Sequence, residues 1–224
     1  MNKDQVSKWL VSIGIVPVIR AASAEQALAA VDAVYQGGVS VVEITMTVPG
    51  ANAIIETVRK TMGKDVLVGA GTVLDREAAN QSLDAGAQFI VSPGFDGGTV
   101  NFCKSRNVLM IAGALTPTEV ITAWRTGADF VKVFPCGAVG GASYIKALKA
   151  PLPQIRLIPT GGVNLKNAAE FIKAGSEALG VGGELILASA LQAGTPRPIT
   201  DLARQYLAII REARDSAGVM ATSR

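Results

Sequence analysis

The sequence predicts a (β/α)8 barrel, a TIM barrel, as one domain over residues 1–224 with an N-terminal helix ahead of the first strand. Three observations carry this. A degenerate repeat recurs as Gly37-Gly38-Val39-Ser40-Val41-Val42-Glu43, Ala85-Gly86-Ala87-Gln88-Phe89-Ile90-Val91, Thr126-Gly127-Ala128-Asp129-Phe130-Val131-Lys132 and Ala174-Gly175-Ser176-Glu177-Ala178-Leu179-Gly180, each a helix-ending glycine followed by an apolar strand. The aligned glycines Gly38, Gly86, Gly127 and Gly175 stand 48, 41 and 48 residues apart, room for two βα units per repeat and eight units in all. The length of 224 residues lies within the range of about 200 to over 400 for this fold. An open doubly wound sheet is the rival arrangement of the same alternating elements.

In chain order, the first strand is Ile15–Ile19, followed by a helical pattern over Ala24–Gln36 with Ser23 as its cap. Val41–Thr45 is the second strand and Leu67–Gly71 the third. A helix over Asp75–Asp84 leads to the fourth strand in the second repeat, and Leu109–Ala112 forms the fifth. Thr116 caps a helix over Thr118–Arg125, which delivers the sixth strand in Phe130-Val131-Lys132-Val133. Arg156–Pro159 is the seventh; Asn164 caps a helix over Leu165–Lys173, and Gly180-Val181-Gly182-Gly183 closes the eighth.

Composition narrows the function classes. The chain is 49% hydrophobic and 17% charged, enough to bury a large core, and has a net charge of +3 with no Lys/Arg cluster. Its three tyrosines and two tryptophans are not interleaved with basic residues, so no nucleic-acid partner is expected. No apolar run reaches the roughly 18 residues of a membrane span, and Met1-Asn2-Lys3-Asp4-Gln5 lacks the apolar stretch of a secretory signal. With two cysteines and no disulfide framework, a cytoplasmic location is expected. The chain contains no histidine, which removes the commonest general base and metal ligand. Cys103 and Cys136 share no zinc spacing, so neither metal nor cofactor is expected. Met46, Met110, Trp124 and Cys136 read as packing residues.

Lys132 interrupts an apolar strand. Alternation puts it on one face with Phe130 and Phe134, and Val131 and Val133 on the other. A lysine so placed is either paired with a carboxylate or used, and a neutral lysine amine is a nucleophile for carbonyl carbon. Reactive groups of this fold belong at the carboxyl ends of strands, where Glu43, Thr72, Pro93, Lys132 and Thr160 fall. Glu43 on the second strand and Lys132 on the sixth face one another across an eight-stranded barrel. They are read as a proton-transfer group and a nucleophile for imine chemistry, or as an ion pair, with or without Arg20 at the end of the first strand. Thr72 is read as a hydroxyl donor inside the mouth. Gly69-Ala70-Gly71-Thr72 resembles half of a nucleotide fingerprint, without the third glycine or the acidic partner. Gly161-Gly162 after the seventh strand and Gly182-Gly183 after the eighth offer backbone amides for a phosphate, or else form tight turns.

Together, Glu43-Ile44-Thr45, Gly69-Ala70-Gly71-Thr72-Val73, Val91-Ser92-Pro93, Val131-Lys132-Val133-Phe134-Pro135 and Pro159-Thr160-Gly161-Gly162-Val163 resemble the 2-keto-3-deoxy-6-phosphogluconate (KDPG) aldolase family, also known for 4-hydroxy-2-oxoglutarate aldolases. The resemblance implies a metal-free class I aldolase, a homotrimer of barrels, that cleaves KDPG to pyruvate and glyceraldehyde 3-phosphate. It implies Lys132 as the Schiff-base lysine and Glu43 as the acid/base group. Thr72 and Thr160 match residues around the pyruvyl carboxylate, and Pro93 and Phe134 match pocket walls. Thr47 stands where many members carry a substrate-binding arginine. Gly183, followed by Glu184, stands where a serine often contacts phosphate. The galactonate epimer, an unphosphorylated 2-keto-3-deoxy acid and a non-catalytic sugar-phosphate binder are the other readings.

Overall fold

The computed structural model describes residues 1–222, with side chains described through residue 216. In chain order the strands are β1 (Ile15–Ile19), β2 (Val41–Thr45), β3 (Leu67–Gly71), β4 (Phe89–Val91), β5 (Leu109–Ala114), β6 (Phe130–Val133), β7 (Leu157–Pro159) and β8 (Leu179–Val181). Between and around them lie α1 (Lys3–Ile13), α2 (Ala24–Gln36), α3 (Ala51–Met62), α4 (Arg76–Asp84), α5 (Gly97–Ser105), α6 (Pro117–Thr126), α7 (Ala142–Lys149), α8 (Ala168–Lys173), α9 (Ala188–Gln192) and α10 (Arg197–Thr222). Every strand from β1 to β6 pairs in parallel with the next, and β1 also pairs with β8. A parallel bridge between Thr160 and Gly180 brings β7 to β8 and completes the ring. Strands in unbroken sequence order, with first and last paired, define a barrel and exclude the open doubly wound sheet.

Each strand turns one row of side chains inward and the other toward the helices. Val42 and Ile44 of β2 and Val131 and Val133 of β6 join the layer beneath the helices. Val41 and Phe130 point the other way, into a second cluster with Val16, Leu67, Phe89, Leu109 and Ile158. Val6 and Leu10 of α1 pack into that same cluster, so the N-terminal helix plugs the lower end of the barrel. Each such apolar side chain contributes about 1.5–3 kcal/mol by leaving water. Polar contacts fix the plug at its edges: Trp9 Nε1 donates to Ser40 Oγ at 2.9 Å and Lys3 pairs with Asp129 at 2.8 Å. The opposite end of the barrel is left open for chemistry.

The repeat glycines perform the role the sequence assigns them. Gly38, Gly86, Gly127 and Gly175 have φ of 93°, 101°, 116° and 98°, the left-handed turn by which a helix ends and the chain re-enters the sheet. Ser23 caps α2 by accepting from the Gln26 amide, and Thr116 with Glu119 forms a reciprocal capping box with Pro117 at the first helical position. Several boundaries differ from the sequence reading: the helices expected over Asp75–Asp84 and Thr118–Arg125 run over Arg76–Asp84, with Asp75 as its cap, and Pro117–Thr126. β5 continues to Ala114 and β7 begins at Leu157, because pairing with β6 sets their length. The helix expected over Leu165–Lys173 begins only at Ala168, and Asn164 is not its cap. The Asn164 side chain instead accepts from the Lys166 amide at 2.9 Å, a local turn that competes with helix initiation. Among the described residues no helix is long and apolar enough to cross a membrane.

Candidate active site

In the ring of eight, three strands separate β2 from β6 in either direction, so their inward side chains meet across the barrel axis. Glu43 and Lys132 do so: the Lys132 Nζ lies 3.4 Å from Glu43 Oε1. Glu43 is 2% exposed and Lys132 3%. The ammonium also sits 5.6 Å from the centre of the Phe134 ring, a cation–π distance. Arg20 follows β1, is exposed, and forms no ion pair among the described residues; the pair therefore excludes it.

Glycines on the inward row make the room. A Cβ built on Gly71 would overlap the Glu43 carboxyl group, one on Gly180 would overlap the Thr160 hydroxyl, and one on Gly69 would overlap the Phe89 ring. In register, Gly71 lies beside Thr45 and Gly69 beside Glu43. The Gly69-Ala70-Gly71-Thr72 segment is thus a spacer for the barrel interior. Two-residue alternation opposite Glu43 was the signal in the sequence for it.

Thr72, directly above Gly71, has φ 57°, a left-handed conformation that is an outlier for a β-branched residue and costs about 1–3 kcal/mol. Its flanks hold it there: the Met46 amide donates to Gly71 O at 2.8 Å, and the Val73 amide to Val91 O at 3.1 Å. Nothing in the sequence betrays this strain, because it is imposed by neighbouring strand ends. Thr160, 5% exposed, stands above β7 on the opposite wall. Pro93 is half-buried above β4, where Gly113 of β5 leaves space for the Pro93-Gly94 backbone. Thr47 is exposed at the rim above β2, its hydroxyl 2.6 Å from that of buried Thr45, a residue the sequence reading passed over.

Beside this cluster, Gly161 and Gly162 both have positive φ, at 83° and 82°. The Gly137 amide donates to Gly161 O at 2.8 Å, and a Cβ on Gly162 would come within 2.8 Å of Gly137 Cα. The two loops are in backbone contact, which a side chain would prevent. The amides of Gly162 and Gly183 meet no acceptor among the described residues, whereas the bridge between Thr160 and Gly180 turns the Gly161 amide toward the Gly180 carbonyl. On the neighbouring loop the Gly182 carbonyl accepts from both Leu185 and Ile186, opening a helical turn. Outward-facing amides at such a turn present partial positive charge to an anion. Glu184 lines a crevice of about 300 Å³ with Asn164, Lys166, Leu202 and Tyr206, against α10. Cys136 is buried beyond β6, and desolvation pushes its thiol up to about 11. Among the described residues no three His, Cys, Asp or Glu side chains are grouped to hold a metal ion.

A barrel whose open end holds a buried amine against a carboxylate, beside loops of free amides, belongs to the class of enzymes that work on small carbonyl compounds bearing an anionic group. The comparisons with known proteins are more particular. The family model described as KDPG and KHG aldolase matches residues 6–202, and the chain belongs to that family. The 2-dehydro-3-deoxy-phosphogluconate aldolase of Treponema pallidum is 37% identical over 199 residues, covering 88% of this chain and 94% of its own. The 2-dehydro-3-deoxy-6-phosphogalactonate aldolase of Escherichia coli is 35% identical, with 80% and 87% covered. A solved structure of KDPG aldolase from Legionella pneumophila, with pyruvate captured as a covalent carbinolamine, superposes with a TM-score of 0.83 at 29% identity, covering 89% of this chain and 97% of that one.

Proposed function

We propose that this chain is a class I aldolase that cleaves 2-keto-3-deoxy-6-phosphogluconate to pyruvate and glyceraldehyde 3-phosphate, with Lys132 as nucleophile and Glu43 as proton carrier. The observation that carries it is the buried Lys132–Glu43 pair at 3.4 Å. Glu43 takes a proton from the Lys132 ammonium, and the free amine attacks the C2 carbonyl carbon to form a carbinolamine. Glu43 returns the proton to the departing hydroxyl, which leaves as water and generates the iminium. The carboxylate then removes the C4 hydroxyl proton, the C3–C4 bond breaks, and its electrons flow to the iminium nitrogen as glyceraldehyde 3-phosphate departs. Glu43 protonates C3 of the enamine, and hydrolysis releases pyruvate and regenerates Lys132. One carboxylate suffices because its protonation alternates from step to step.

Thr72 and Thr160 are assigned to the substrate carboxylate, and Pro93 and Phe134 to the walls. The Phe134 ring also favours the positive charge of the iminium. The Gly161-Gly162 and Gly182-Gly183 segments are assigned to the phosphate. Arg20 is assigned to the outer part of the substrate, where its exposed position leaves it free to reach. Cleavage of 4-hydroxy-2-oxoglutarate to pyruvate and glyoxylate is a second activity of the same site. The phosphogalactonate aldolase relative supports a second reading, in which the C4 epimer is the substrate. We expect a cytoplasmic homotrimer. Leu74, 64% exposed, and Phe95 on neighbouring loops supply apolar surface for such an assembly.

The test is borohydride reduction in the presence of pyruvate, followed by peptide mass analysis. A reduced pyruvyl adduct on Lys132 is expected, absent in Lys132→Ala while the variant stays folded by circular dichroism. An adduct on another lysine, or none, would overturn the assignment.

A further inference from the structure

We propose that Thr47 presents an acceptor-only hydroxyl to the mouth, which recognises a substrate hydroxyl and discriminates against a second carboxylate, and that Thr45 is the positioning residue that imposes this polarity. The proposal deepens the aldolase reading above and rests on it.

A threonine hydroxyl has one proton and can donate it once. Thr45 Oγ1 lies 3.1 Å from the Ile19 carbonyl oxygen, which can only accept, and 2.6 Å from Thr47 Oγ1, where either oxygen can donate. Both contacts are made at once in only one arrangement: Thr45 donates to Ile19, and Thr47 donates to Thr45. Thr45 is fully buried, so its contacts have no water to replace them, and the arrangement that satisfies both is favoured. The chain of donation runs from the rim inward and ends on the backbone of β1. Thr47 has then used its proton, and what its exposed hydroxyl offers outward is lone pairs.

The location says which part of a substrate meets them. Val41, packed in the barrel floor, and buried Glu43 show the inward parity of β2, and Thr45 continues that row. Thr47 stands one step further toward solvent, tied to Thr45 through its hydroxyl. With Glu43 serving the C4 hydroxyl, the group nearest Thr47 lies beyond the bond that breaks. A phosphorylated sugar acid carries a hydroxyl at C5, which can donate to Thr47. 4-Hydroxy-2-oxoglutarate carries a carboxylate at C5, whose oxygens face the Thr47 lone pairs without a proton between them. The residue therefore selects for a polyol tail.

The experiment compares kcat/KM for 2-keto-3-deoxy-6-phosphogluconate and 4-hydroxy-2-oxoglutarate in the wild type, Thr47→Val, Thr45→Val and Thr45→Ser. Thr47→Val should lower the value for the sugar acid by about 2- to 12-fold, the scale of one neutral hydrogen bond, and so shift the ratio of the two substrates toward the oxoglutarate. Thr45→Val frees the Thr47 proton, so the preference for the sugar acid should fall; Thr45→Ser retains the chain of donation and should keep it. Equal losses on both substrates in Thr47→Val, or identical ratios in Thr45→Val and Thr45→Ser, would overturn the proposal. Thr47 is exposed, so its variant remains informative even if Thr45→Val fails to fold. Pyruvate trapping on the wild type is read in parallel. No adduct defeats the aldolase reading itself, whereas an adduct with an unmoved substrate ratio defeats the Thr47 proposal alone.

Discussion

Replacing Gly71 with alanine adds one methyl group at the most crowded point of the site. Gly71 has an ordinary backbone φ, so alanine is not excluded by conformation. Its Cβ would overlap Oε1, Cγ and Cδ of Glu43, a carboxyl group that is 2% exposed and has the barrel wall behind it. Glu43 must therefore move, and a shift of about 1 Å separates its oxygen from the Lys132 amine, which already stands at 3.4 Å. A 1 Å misplacement of a reacting group costs about 100-fold in rate, while overpacking costs about 1–3 kcal/mol of stability. We expect kcat for KDPG cleavage to fall about 100-fold in Gly71→Ala. The variant should remain folded and still give the reduced pyruvyl adduct, more slowly. Gly69→Ala is the control, because its Cβ meets the Phe89 ring in the barrel floor; it should lower the melting temperature with a smaller effect on kcat. The assays are steady-state cleavage, adduct formation by mass spectrometry and thermal unfolding. A fully active Gly71→Ala, or one whose kcat loss Gly69→Ala reproduces at equal stability, would refute the idea that Gly71 sets the Glu43 position.

Glu43→Gln should lower turnover by about 100-fold or more, the usual contribution of an acid–base group, with loss of pyruvate methyl proton exchange as the companion measurement. Gly183→Ser meets open space and ordinary backbone dihedrals, so it should fold normally. An added hydroxyl that donates to a phosphate should raise kcat/KM for the phosphorylated over the unphosphorylated substrate by about 10- to 150-fold, the scale of one charged hydrogen bond; no gain would show that position 183 does not reach the phosphate. Burial pushes the Cys136 thiol up to about 11, and burial together with the Asp129 charge pushes that of Cys103 to about 12. At pH 8 the Cys136 thiolate is then about one part in a thousand, so both cysteines should resist iodoacetamide in the folded protein and react once it is unfolded.

The barrel was legible in the chain because its causes are local and repeated. Gly38, Gly86, Gly127 and Gly175 end helices in a conformation that other residues avoid, and the strands after them are short and apolar. Their spacing counts eight units, and a count of eight places β2 opposite β6. That is why Glu43 and Lys132 could be paired from the sequence across 89 residues. The start of α8 is not legible in the sequence, because Asn164 suits either a cap or a turn and the choice between them rests on contacts of the following residues.

The remainder is a matter of distances between segments that the chain does not place near one another. Two-residue alternation says that Gly71 faces inward, but only strand register puts it against the Glu43 carboxyl. The strain at Thr72 comes from the Met46 and Val73 amides that clamp it, and the exclusion of Arg20 from the ion pair follows from its exposure at the rim. The direction of the Thr47 hydroxyl depends on Ile19, on a different strand. Periodicity and glycine placement are backbone properties and can be read one residue at a time. Proton direction, side-chain clearance and strain are properties of neighbours, and they exist once the barrel has closed.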